Sequence, residues 1–261
     1  MIDYNYLIVL LIAGLMAGII TGLVAASASV IMTPILTIFL KMDVYSALGI
    51  SLAADVIASL TTTYVYHKHD CVAYKKSTIL ILVAVIFTLI GSYLTHNTSN
   101  TLLGVASGIG ICILAFQFLK GNFTSRLSTF KKNPIIGRIL KRPQIFILAS
   151  GIIIGLNTGV MGAGGGVLIL FTMILSYDME MKRAIGTSAF VMMVIAFCGA
   201  AIHFYYGTFT LTDTLFASSG ALTGAFLASN FVHASNENKL SKIVGTIFSC
   251  IGTVMVINQL L

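Results

Sequence analysis

The chain has 261 residues, of which 57% are hydrophobic and 9% charged. Soluble domains are about a quarter charged, so this composition, with a mean hydropathy of +1.00, excludes a soluble globular protein and makes lipid the solvent. The net charge of +7 sits in loops rather than on one face. That pattern argues against a nucleic-acid partner and for the positive-inside asymmetry of membrane proteins.

A spanning helix needs about 20 mostly apolar residues, and the elements follow in chain order. No Lys or Arg precedes the first apolar run, so it lacks a secretory n-region and reads as a retained membrane segment, a, over Tyr6–Ala26. Segment b, Val30–Leu40, is too short to span upright. Asp43 is placed to cap segment c, Ser46–Tyr66. Segments d (Ser77–Leu94) and e (Leu102–Leu119) complete a first transmembrane repeat, 1–119. Residues 120–143 carry Lys120, Arg126, Lys131, Lys132, Arg138, Lys141 and Arg142 with no acid, and read as a basic connector. The second repeat, 144–261, holds a′ (Gln144–Met161), b′ (Gly166–Tyr177), c′ (Ala184–Tyr206), d′ (Thr212–Val232) and e′ (Leu240–Leu261).

A shift of 137 residues aligns the halves without a gap from Leu11 to Tyr66. Gly14, Gly18 and Gly22 fall on Gly151, Gly155 and Gly159, and Gly49 and Ser51 fall on Gly186 and Ser188. The expected fold is therefore an all-α polytopic membrane protein of two repeats, each of about five helical segments with a broken or re-entrant hairpin. If b and b′ turn back toward their entry side, the repeats are inverted, and only Lys41 of the 15 Lys and Arg faces outside. Parallel repeats would place Lys41, Lys182, Arg183, Lys239 and Lys242 on the minority side. The positive-inside rule favours inversion, with the connector in the cytoplasm and both termini outside.

The densest glycine stretch is Asn157–Gly166, NTGVMGAGGG, inside a long apolar run. Glycine costs about 1 kcal/mol against alanine in a helix interior, and a broken helix in lipid needs protein or a watery cavity for its freed backbone groups. Amide groups in such a turn, backed by a helix N-terminus, make an anion site. Gly162, Gly164, Gly165 and Gly166 would supply amides, and Asn157, Thr158 and Thr187 side-chain donors. Gly151, Gly155 and Gly159 read instead as a small-residue packing face. The earlier copy of the turn, Ala25–Ser29, reads AASAS and offers the hydroxyls of Ser27 and Ser29 around Ala28. The two turns are expected to meet near the midplane, with Ser51 and Ser188 close by.

Asp55 lies near the middle of segment c, on a stripe with Ser51, Ser59 and Thr62. An acid at such depth is costly and marks function, here the carriage of a proton or cation, or else a hydrogen bond tying two helices. Met192 takes its place in the second half. His203, beside Tyr205 and Tyr206, reads as a wetted end residue in an interfacial aromatic belt. Cys71, Cys112, Cys198 and Cys250 are far apart and read as reduced packing residues. The His67–Cys71 loop has no zinc spacing, so no metal is assigned. No nucleophile elbow, P-loop or dinucleotide fingerprint is present, so neither an enzyme nor a cofactor is indicated.

The glycine turn Gly159–Gly166, a short apolar helix, then Ala-x-Gly-Thr-Ser at 184–188, duplicated around a basic connector, resembles the TauE/SafE family of sulfite exporters and anion permeases. The likeness covers nearly the whole chain. It departs in the first half, where the turn is AASAS and 49–51 reads GIS rather than GTS. The resemblance implies a multi-pass carrier of the plasma (inner) membrane that moves small anions such as sulfite or organosulfonates. The drive would be an ion gradient, and the lipid bilayer the main surrounding partner; a homo-oligomer is compatible with it. The expected mechanism is alternating access around the two turns, with Asp55 as the coupling residue. The alternatives are a channel-like anion conduit, an intramembrane enzyme and a membrane scaffold. A Gly165→Leu change is expected to abolish binding without unfolding.

Overall fold

The computed structural model describes residues 4–96, 98–105, 107–109, 142–162 and 165–232. Most of segment e, nearly all of the basic connector, segment e′ and Gly164 lie outside the described residues. The elements are α1 (Tyr4–Val24), α2 (Ser29–Phe39), α3 (Val44–His67), α4 (Tyr74–His96), α5 (Pro143–Met161), α6 (Gly165–Tyr177), α7 (Met181–Tyr205) and α8 (Leu211–Val232). Residues 100–105 are also helical. Among the described residues, α1, α3, α4, α5, α7 and α8 are long and apolar enough to cross a membrane. Large apolar side chains such as Leu82, Phe197, Leu215 and Leu227 are exposed, as lipid-facing residues must be. The chain is a multi-pass membrane protein.

Helices α2 and α6 have 11 and 13 residues. At 1.5 Å per residue they reach about 17 and 20 Å, short of a hydrocarbon core of about 30 Å. Each follows a sharp break. Ala25 (φ +51°) and Gly162 (φ +63°) both occupy the left-handed region and end α1 and α5. Their amides close the last helical turns, Ala25 onto the Thr21 carbonyl (2.8 Å) and Gly162 onto that of Thr158 (2.9 Å). Gly162 adopts this shape freely; Ala25 adopts it against its Cβ and is held there by burial. Helix α3 starts where expected, with Asp43 Oδ2 accepting from the Ser46 amide at 2.9 Å.

The glycine ladders are packing surfaces. A Cβ on Gly18 would overlap the Ala221 carbonyl oxygen, and one on Gly155 that of Ala84. Gly22 lies against Ala225, Ala228 and Ser229, and Gly159 against Thr88, Gly91 and Ser92. Backbones this close let α1 run alongside α8 and α5 alongside α4, each pair parallel. The partners exchange under the 137-residue shift: Gly18 with Ala221 becomes Gly155 with Ala84. The central pair α3 and α7 is antiparallel, because Gly49 near the start of α3 faces His203 while Gly186 near the start of α7 faces Tyr66. That pair of contacts also maps onto itself under the shift.

The antiparallel pair gives the molecule two chemically different ends. One gathers the 67–76 loop and the start of α7: the Ala73 amide donates to Thr187 Oγ1 (3.0 Å), and Lys76 Nζ lies 5.1 Å from the Tyr177 ring centre. Lys68, Lys75, Lys182 and Arg183 belong to this end. The other is aromatic. Tyr45 packs on His203 with ring centres 4.3 Å apart, and His96 stacks on Tyr206 at 4.0 Å. Here Tyr6 donates to Asp213 Oδ1 (2.9 Å), which places the start of α1 beside the start of α8. His203 is not the wetted end residue its position suggests: it is fully buried under Tyr45 and the 206–209 bend.

Candidate functional site: the crossing of two broken helices

The two breaks meet. Ser29 packs on Gly162, and a Cβ on Gly166 would overlap the Ala25 carbonyl oxygen. These contacts also exchange under the shift, Ala25 with Gly162 and Ser29 with Gly166. The N-termini of α2 and α6 therefore approach the same point from opposite hairpins. Each brings the positive end of its helix dipole; in α2 the Ser29 amide donates to Ser27 Oγ (3.4 Å) and the Val30 amide to the Ser27 carbonyl (3.2 Å).

On this point converge polar side chains from two stretches that the chain order keeps apart, residues 27–29 and 55–59. Ser27 Oγ lies 2.6 Å from Asp55 Oδ2, 2.7 Å from the Gly162 carbonyl oxygen and 3.3 Å from Ser29 Oγ. Ser59 Oγ, one turn along α3, donates to Asp55 Oδ1 at 3.2 Å. The Ala28 amide also faces the carboxyl. Asp55, Ser27, Ser29 and Ser59 are all buried. Thr21 Oγ1 lies 3.0 and 2.9 Å from the Ala17 and Ala26 carbonyls and has one hydrogen to share between them, at the point where the break leaves backbone open. In the other hairpin Thr158 is buried, and its Oγ1 has no partner among the described residues.

The candidate residues fall into two groups. The structure brings together Ser27, Ala28, Ser29, Asp55, Thr158, Gly162, Gly165 and Gly166. It leaves Ser51, Thr187 and Ser188 a turn or more away. Ser51 accepts from Thr33 Oγ1 (3.1 Å) and donates to the Ala47 carbonyl (2.6 Å), fastening α2 to α3. Ser188 donates to the Ile185 carbonyl at 2.9 Å. Thr187 holds the 67–73 loop, about 7 Å along α7 from Met192, the residue that reaches the crossing. Asn157 is half-buried on α5. At Gly165 a Cβ would overlap Thr158 Oγ1, a side-chain end, and lie 3.3 Å from Met192 Sδ.

Two residues that matter at the crossing carried no sequence signal of their own. Ala25 takes a conformation usual for glycine, and only its register with Gly162 marks it. Thr21 was visible only as the counterpart of Thr158.

The sulfite exporter TauE/SafE family model matches residues 10–255. The chain is 22% identical over 214 residues to the probable membrane transporter protein YunE of Bacillus subtilis (strain 168), covering 79% of this chain and 78% of that protein. It is 21% identical over 199 residues to the probable membrane transporter protein YdhB of the same organism, covering 76% and 79%. No solved structure matches.

Proposed function

We propose that this chain, which belongs to the sulfite exporter TauE/SafE family, is a secondary carrier of small anions, with sulfite or organosulfonates as its substrates. It is a membrane transporter and not an enzyme, as its family and relatives are. The crossing supports the finer reading. Two helix N-termini from separate hairpins, with serine hydroxyls between them and one buried acid beside them, form an arrangement suited to a small oxyanion and a coupling proton.

In this reading the halves are inverted repeats and rock about the crossing to expose it to each side in turn. The exchange of contacts under the 137-residue shift supports the inversion. Ser27 and the Gly162 carbonyl are in direct contact, so an anion enters only when the turns part. Asp55 carries the proton or cation of each cycle. The end bearing Lys68, Lys75, Lys76, Lys182 and Arg183 faces the cytoplasm, as the positive-inside rule requires of a plasma-membrane protein, and the basic connector joins it there.

The test is flux in liposomes of purified protein. Sulfite, sulfate, sulfoacetate and thiosulfate are supplied in turn, with and without a pH gradient. Saturable flux of one of these anions that responds to the gradient is the expected result. Non-saturating ionic current would replace the carrier with a conduit. No movement of any of them would remove the substrate assignment.

A further inference from the structure

We infer that Ser27 is a proton-dependent clasp, which closes the two turns on each other only while Asp55 holds a proton. The inference rests on the reading of Asp55 as the coupling residue and deepens it by naming the residue and bond through which the proton acts.

The basis is a count of hydrogens. Ser27 Oγ is 2.7 Å from the Gly162 carbonyl oxygen, a hydrogen-bonding distance. A carbonyl has no hydrogen to give, so the one in this bond is the serine's own. Ser27 Oγ is also 2.6 Å from Asp55 Oδ2, and the serine has one hydroxyl hydrogen for these two acceptors. A proton on Asp55 gives each contact its own hydrogen. The chain of donors runs Asp55 Oδ2–H to Ser27 Oγ, then Ser27 Oγ–H to Gly162 O. Ser29 Oγ, at 3.3 Å, can donate to Ser27 but cannot supply the bond to Gly162.

When Asp55 gives its proton to a water that reaches the turns, the serine hydroxyl turns to the carboxylate, the stronger acceptor. Gly162 O then faces a serine lone pair at hydrogen-bond distance among buried groups. The contact across the two hairpins becomes repulsive and opens. Around Asp55 stand the Ser27 hydroxyl and Ala28 amide from the α1–α2 turn, Ser59 from its own helix and, through Ser27, the Gly162 carbonyl. Among the described residues no Lys, Arg, His or second acid acts on it, so nothing else there answers to the same proton. In the other hairpin the corresponding residues are Met192 and Gly164, so the device exists once per molecule.

Two readouts test it without any substrate, so they stand whether or not flux is seen. The first is the infrared band of a protonated carboxyl, followed with pH in purified protein. The second is amide exchange over residues 20–34, corrected for the intrinsic pH dependence. Wild type should show the band and the protection together, and lose both as pH rises. Asp55→Asn should lose the band yet stay protected at every pH, because the asparagine amide donates to Ser27 as the protonated acid does. Ser27→Ala should keep the band at higher frequency and exchange about tenfold faster, the loss of one buried hydrogen bond. Ser27→Thr, which keeps the hydroxyl, should behave as wild type. If Ser27→Ala does not fold, Asp55→Asn decides alone. Its pH-independent protection supports the clasp. Protection that falls with pH as in wild type, or no Asp55 carboxyl band where wild type is protected, overturns it.

Discussion

A single methyl group at Gly166 tests whether the two turns touch as described. A Cβ there would overlap the Ala25 carbonyl oxygen, which is backbone and cannot swing away as a side-chain end can. To restore an ordinary contact, the 25–28 turn has to withdraw by about 1.5 Å. The Ser27 to Gly162 hydrogen bond, now 2.7 Å, would then exceed hydrogen-bonding distance. Overpacking of this kind costs about 1–3 kcal/mol, so Gly166→Ala should shift the closed-to-open ratio of the turns by about 5- to 150-fold. In purified protein this should appear as a melting midpoint lower by about 4–8 °C for a cost of about 2 kcal/mol, with faster amide exchange over 20–34. Gly199→Ala is the control. Its Cβ would lie 3.2 Å from Leu52 Cδ1 and 3.5 Å from Thr88 Cγ2, side-chain ends that can give, and it should melt no lower than wild type. A Gly166→Ala protein with unchanged midpoint and unchanged exchange would refute the contact.

Two further outcomes probe the basic end. Cys71 lies between α3 and α4, outside the spans, and burial raises its thiol above the ordinary value despite the opposing pull of Lys182 and Arg183. A raised value means less thiolate at neutral pH, so maleimide labelling of a variant keeping only Cys71 should start slow. It should then climb about tenfold per pH unit through the ordinary thiol range. A membrane-impermeant reagent should reach it in inside-out vesicles and not in right-side-out ones; the reverse would invert the orientation. Thr187→Val removes the acceptor of the Ala73 amide and should cost about 1–2 kcal/mol of stability, read as a lower melting midpoint. The half-saturating anion concentration should hold, and a large rise in it would return Thr187 to the binding site.

Hydropathy was enough to locate the helices because depth in lipid is written in composition. The six described spans begin within three residues of the expected positions, and Asp43 caps α3 as its place before an apolar run suggests. The internal shift carried more than the helices. It paired positions that later proved to be in equivalent contacts, such as Gly49 and Gly186 against His203 and Tyr66. What stayed hidden was which partner meets a given face. Thr187 sits in an Ala-x-Gly-Thr-Ser run that reads as part of a ligand site, yet its hydroxyl is held by a loop 114 residues away, and no local pattern announces that. His203 looked wet because it ends a helix; the Tyr45 ring that covers it comes from another helix.

The differences between the repeats carry the remaining argument. Where the second half has Gly164, Gly166 and Met192, the first has Ser27, Ser29 and Asp55. The missing side chains of the second are what let the first approach: Ala25 fits against Gly166 only because no Cβ intervenes. The hydroxyl of the first is in turn what engages a backbone carbonyl of the second, at Gly162. Ser27 in the first hairpin thereby stands within hydrogen-bonding reach both of the Gly162 carbonyl and of Asp55, at 2.7 and 2.6 Å.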